Sequence, residues 1–190
     1  MGPDRVLRSA VFAVLVGTAV IAFEACAPST ESEPPTPAPT TVENTDLRLR
    51  LADLPTTFSA VANTGAELAV EPSDPAIAGR IEFLVSPPED GQNLVSALKF
   101  HQTFIENQED GDYQGGQELV SQLGTAFYSR GRFVLEGEAI EETVVFTIHP
   151  DADRMLRLRY RYPAGIDSSV RVEQLFEVLG TVEGIEPTAP

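Results

Sequence analysis

The strongest constraint on how this chain can fold lies near its end, in the stretch Met155-Leu-Arg-Leu-Arg-Tyr-Arg-Tyr162. Successive side chains of an extended strand point to opposite faces. Leu156, Leu158, Tyr160 and Tyr162 therefore share one face, and Arg157, Arg159 and Arg161 share the other. A helical repeat would scatter both sets around its axis, so the segment reads as a strand with one apolar and one cationic face. Such a strand needs partners, because isolated pairs of strands are barely stable in water. The preceding residues supply them. Residues 125–132 contain Ala126-Phe127-Tyr128, residues 133–139 alternate, and residues 143–149 place Val144, Phe146 and Ile148 on one face. Pro150-Asp151-Ala152-Asp153 is turn chemistry, with proline preset for the second turn position. Connections this short make an antiparallel meander.

The rest of the folded region follows the same logic. Leu47, Leu49 and Leu51 alternate with polar residues, residues 66–70 form a short strand ended by Pro72, and residues 79–85 form a longer one ended by Pro87-Pro88. Residues 54–65 are ambiguous. In residues 92–108, Leu94, Val95, Leu98, His101 and Ile105 recur at helical spacing, with Phe100 and Phe104 on the flank and Gly111 ending the region. Residues 117–122 alternate again. After Pro163-Ala164-Gly165, Ser168 or Ser169 is placed to cap a last helix, whose apolar face is Val172, Leu175, Phe176 and Leu179. Residues 183–190 read as a frayed tail. Five to seven mostly antiparallel strands with two helices predict an α+β fold, an antiparallel β-sheet flanked by helices.

The N-terminus has a different character. Arg5 and Arg8 precede an apolar run from Ala10 to Phe23, closed by Glu24-Ala25-Cys26. This is the order of a secretory signal, and a core of about 14 residues is short of the roughly 20 a membrane span needs. With the chain's one cysteine at its end, the stretch resembles a bacterial lipoprotein signal. That resemblance implies cleavage before Cys26 and its lipidation, palmitate included. Two other readings use the same residues: ordinary secretion with Ala25-Cys26-Ala27 as the cut site, and an uncleaved anchor. Residues 27–45 are rich in Pro, Thr, Ser and Glu, with Val42 the only sizeable apolar side chain, and read as an extended passive spacer. At about 3.1 Å per residue it reaches roughly 50 to 60 Å. The expected organisation is a signal at 1–25, a linker at 26–45 and one globular domain at 46–190.

Charge excludes some roles. The chain carries 29 acidic and 13 Lys and Arg residues, a net charge of −16. Losing residues 1–25 removes Arg5 and Arg8 together with Asp4 and Glu24, so the value is unchanged. Such a field repels nucleic acid. With Cys26 used, no cysteine remains to form a disulfide.

The succession Gly124-Thr125-Ala126-Phe127, then residues 144–150, then Arg161-Tyr162-Pro163, then the helix at 170–179 resembles the PsbP-type domain. That domain occurs in the photosystem II extrinsic subunit and in bacterial lipoproteins. The resemblance implies a PsbP-like sandwich, an antiparallel sheet between helices, without catalytic residues.

Few groupings suggest chemistry. Asp110-Gly-Asp112-Tyr-Gln114-Gly115 has the start of a calcium loop, but Ser121 stands where the bidentate glutamate belongs, so it reads as an acidic turn. His149, Asp151 and Asp153 are explained by the turn that holds them, and His101 reads as a satisfied residue of its helix face. No nucleophile elbow, zinc-protease, phosphate-loop or dinucleotide motif occurs, so neither a metal, a cofactor nor an enzymatic activity is expected. The arginines Arg157, Arg159 and Arg161 are the sharpest feature, readable as an anion-binding face or as a row paired with glutamates of neighbouring strands such as Glu136, Glu138, Glu141 and Glu142. The expectation is a lipid-anchored, extracytoplasmic protein of the bacterial cell membrane or outer membrane. It would have a non-enzymatic binding or assembly role, a protein partner in the envelope and no nucleic acid. The alternative is a small-ligand or lipid carrier with a pocket between sheet and helix.

Overall fold

The computed structural model describes residues 40–86, 93–150 and 154–185. Cys26 and the signal-like run lie outside them, as do Pro87, Pro88, Asp151 and Asp153. In chain order the elements are β1 (Thr40–Asn44), β2 (Leu49–Leu54), β3 (Phe58–Thr64), β4 (Glu67–Pro72), β5 (Arg80–Ser86), α1 (Leu94–Glu106), β6 (Glu109–Ser121), β7 (Gly124–Leu135), β8 (Glu138–Ile148), β9 (Met155–Pro163), α2 (Ser168–Leu179) and β10 (Val182–Gly184). Seven strands form one antiparallel sheet in the order β3-β4-β5-β9-β8-β7-β6, and β1-β2-β10 form a second. The architecture is α+β, as the alternating pattern requires.

The two faces of the large sheet are covered differently. Leu156, Leu158, Tyr160 and Tyr162 of β9 join Ile81 and Phe83 of β5 in one buried cluster with Leu49 and Leu51 of β2, Leu175 and Val178 of α2, and Val182 of β10. This is the main core. The opposite face carries α1, which lies across β6, β7 and β8. Two strand glycines let it approach. A Cβ on Gly131 would stand 2.7 Å from Ile105 Cγ2, and one on Gly116 would stand 2.6 Å from Leu98 Cδ1. Asn93 caps α1, its side chain accepting from Ser96 N at 2.9 Å while Ser96 Oγ accepts from Asn93 N at 2.9 Å.

Several boundaries differ from the sequence reading, each for a physical reason. The folded unit includes Thr40 to Asn44 rather than beginning at 46. Val42 pairs opposite Leu51 and is buried, and the Asn44 side chain accepts from Leu47 N at 2.9 Å and donates to Glu67 O at 3.1 Å. Of the residues read as tail, Glu183 and Gly184 belong to β10, and Ile185 N donates to Arg48 O at 3.1 Å. Residues 125–149 form two long strands, not three. Their hairpin turns at Glu136-Gly137, with φ of 53° and 86°, the left-handed pair of a two-residue type I′ turn, and Leu135 faces Glu138 across it. The stretch from Asp110 to Gly115 is strand rather than turn. It belongs to β6 and carries register shifts against β7 where extra residues bulge out. The ambiguous residues 54–65 contain β3. The N-cap of α2 is Asp167, which accepts from Ser169 N at 3.0 Å, instead of Ser168 or Ser169.

Candidate functional site

The arginine row of β9 lies on the α1 face, and sheet register decides what each arginine meets. Arg161 stands opposite Glu142 of β8 and Arg80 of β5. Arg159 stands opposite Val144 and Glu82. Arg157 stands opposite Phe146 and Leu84. The first two have acidic cross-strand partners, and the third has none. Arg161 Nε accordingly donates to Glu142 Oε2, and the Arg159 guanidinium donates through two nitrogens to Glu82 Oε2. Of the glutamates of β8 and its turn that could have met the arginines, only Glu142 does so. Glu82, on the other neighbour of β9, is the partner that sequence order does not suggest.

Glu142 is buried, and its second oxygen lies 2.9 Å from His101 Nε2 on α1. His101 Nδ1 lies 2.8 Å from Ser129 Oγ of β7. Burial pushes the Glu142 carboxyl up, but the His101 hydrogen bond and the Arg161 charge outweigh it, holding the carboxyl below its usual value. Serine, histidine and glutamate in sequence also describe an acyl-transfer triad. Here Ser129 is fully buried under α1, and His101 is stacked near Phe104 and edge-on to Phe146, with centroids 6.3 and 6.0 Å away. The network is sealed by packing. It ties α1 to the sheet and leaves the serine no access to a substrate.

Arg157 has a different environment. Its Nε is buried without a hydrogen-bond partner among the described residues. Burial, and next the like charge of Arg159, pull its guanidinium below the usual arginine value, and the more distant Glu142 and Glu82 only partly oppose them. It lines a cleft of about 300 Å³ between the first turns of α1 and the β5-β9-β8 strands, together with Ser86, Ser96, Ala97, Phe100, Phe146 and Met155. Phe100, which lines the cleft, is 67% exposed, and Val95 and Ile148, which line the adjoining depression at Ser96, are 48% and 43% exposed, so the three form an apolar rim. A rim of this kind around a cleft is the usual mark of an interaction site.

The remaining groups named from the sequence lie apart. His149 is buried, with Nε2 2.9 Å from Leu47 O, while Asp151 and Asp153 are outside the described residues. Among the described residues no group of three His, Cys, Asp or Glu side chains is placed to hold a metal ion. No helix among them is long and apolar enough to cross a membrane.

An antiparallel sheet with one helix on each face is a PsbP-like fold. The solution structure of cyanobacterial PsbP (CyanoP) from Synechocystis superposes with a TM-score of 0.54, covering 83% of this chain and 99% of that one at 9% identity. The Ran-binding protein Mog1p of Saccharomyces cerevisiae superposes at 0.51, covering 77% of this chain and 95% of that one at 14% identity. LpqN of Mycobacterium tuberculosis, described as involved in cell envelope biogenesis, reaches 0.49, covering 75% and 89% at 15% identity. No family model matches the chain, and no curated protein matches it by sequence. At these identities the likeness is one of fold.

Proposed function

We propose that this protein is a lipid-anchored, extracytoplasmic binding protein of the bacterial cell envelope, held to its membrane through Cys26 and acting by association with an envelope protein rather than by catalysis. The observation that carries the tether is the placement of the only cysteine at the end of a basic, then apolar, N-terminal run. The binding role is supported by the exposed apolar rim around Phe100 and by a buried Ser129-His101-Glu142 network that no substrate can reach. Replacing Cys26 with Ser tests the anchor in a bacterium that makes lipoproteins. Membrane partition should fall and unprocessed precursor should accumulate. An unmodified mature mass for the wild-type chain would refute lipidation. A photo-cross-linking residue at position 100 should capture an envelope protein that the same residue at position 61, exposed on β3, does not. A second reading, a carrier of a small ligand between sheet and helix, is favoured by the cleft at Arg157.

A further inference from the structure

We infer that the cleft between α1 and β9 is a binding site for a small monocarboxylate with an apolar body, its charged end held by Arg157. The inference names the ligand class for the small-ligand reading above, and it does not depend on the anchor: wild-type membrane partition retained by Cys26→Ser would remove the tether and leave the site standing.

The register explains why Arg157 is available. Along β9 the outward row is Arg161, Arg159 and Arg157, and the facing residues change from Glu142 and Glu82 to Phe146 and Leu84. Among the described residues, this leaves one half-buried guanidinium without an acidic cross-strand neighbour. No carboxylate among the described residues lines the cleft, since Glu82 is held by Arg159 and Glu142 by Arg161 and His101. The Nε–H of Arg157 is buried without a partner, and the side chain lines the cleft, where an incoming oxygen would give the guanidinium an acceptor. A planar guanidinium suits a carboxylate, which can accept two of its donors at once.

The walls define the rest of the ligand. Ala97, Phe100, Phe146 and Met155 are apolar, and Ser96 is already committed to the α1 cap through hydrogen bonds with Asn93. The Ser86 hydroxyl makes no hydrogen bond among the described residues and offers the cleft one further donor. At roughly 30 Å³ for a water-sized group, a volume of about 300 Å³ accommodates about ten heavy atoms. One unpaired cation also limits the ligand charge. A dianion would bring a second negative charge into a protein whose net charge is already −16, with nothing in the cleft to meet it.

Saturation-transfer NMR on the full-length chain in phosphatidylcholine nanodiscs tests this, with phenylbutyrate as the probe, phenylbutyramide as its uncharged isostere and inorganic phosphate as an anion without an apolar body. Phenylbutyrate should bind about tenfold or more tighter than the amide. Arg157→Gln should erase that preference while the amide still binds, which shows the cleft intact. Arg157→Lys should keep part of the preference, and Arg50→Gln, remote on β2, should keep all of it. Equal affinity for acid and amide overturns the proposal. So do an acid preference that survives Arg157→Gln, displacement of phenylbutyrate by an equal concentration of phosphate, and the absence of saturable binding to the wild-type chain.

Discussion

Strand β9 presents two surfaces built from alternate residues of the same eight-residue stretch, and they are stabilised by opposite means. On the α2 side, Leu156, Leu158, Tyr160 and Tyr162 are buried against two further layers, and even the phenol of Tyr162 finds a partner in Thr143 Oγ1 at 3.2 Å. Burial pushes that phenol up to about 12. On the α1 side, the arginines depend on where acids fall on the two neighbouring strands. The apolar face tolerates any register that keeps it inside, because dispersion and the hydrophobic effect are not directional. The charged face does not, because a guanidinium needs its acceptor within hydrogen-bond reach. Displacing β5 by two residues would keep its apolar side chains on the core face and take Glu82 from Arg159, and the same displacement of β8 would take Glu142 from Arg161.

That contrast can be broken in four places. The largest effect belongs to the apolar face: Leu158→Ala should cost about 2 to 5 kcal/mol in urea unfolding, independent of salt. A loss under about 1 kcal/mol would show that this face is not the main core.

Glu142→Gln comes next. It replaces the buried carboxylate shared by His101 and Arg161 with an uncharged amide that can accept from only one of them, and should cost about 2 to 4 kcal/mol near neutral pH. Because the folded state holds this carboxyl below its usual value of 4.5, its contribution is complete above that value and is lost as pH falls through the folded value. Wild type should therefore lose stability in acid more steeply than Glu142→Gln, and the gap between them should close. Parallel pH profiles would remove Glu142 from the network.

The third comparison lies within the arginine row. Arg159→Met should cost about 0.5 to 1.5 kcal/mol at low salt and less at high salt, since its pair with Glu82 is partly exposed. Arg157→Met should be neutral or stabilising by up to about 1 kcal/mol, because it removes a half-buried cation with no acceptor. Equal losses from the two substitutions would erase the distinction drawn between them. The smallest effect is Phe100→Ser, expected within about 0.5 kcal/mol of wild type in the same unfolding measurement. A larger loss would mean that this ring serves the fold and not the rim of a site.

Much of the fold was readable because the two structural periods are written plainly in certain stretches. Leu156 to Tyr162 could be nothing but a strand, and Leu94 to Ile105 nothing but a helix with His101 on its inner face. Legibility failed where a turn is short or a strand lacks its own pattern. Glu136-Gly137 interrupts an alternation that appears to the eye to continue from Phe133 to Ala139. Thr40 to Asn44 looks like spacer because Val42 is its only sizeable apolar side chain, and Val42 becomes a core residue only once Leu51 lies beside it. The same holds for Glu183 and Gly184, which read as tail but continue β10 at the edge of the second sheet.

For the site, the residue types were legible and their pairing was not. The sequence by itself determined that three arginines share one face of one strand, that the opposite face is apolar, and that acids outnumber bases over the chain as a whole. These follow from a period of two and from composition, both local properties. Tertiary structure decided that Glu82, 77 residues from Arg159, would neutralise it, that Glu142 would be shared between Arg161 and a histidine from a different element, and that Arg157 would face Leu84 and Phe146 instead of an acid. Cross-strand partners are set by register and strand order, which come from the packing of the whole sheet, and a single strand carries no record of them.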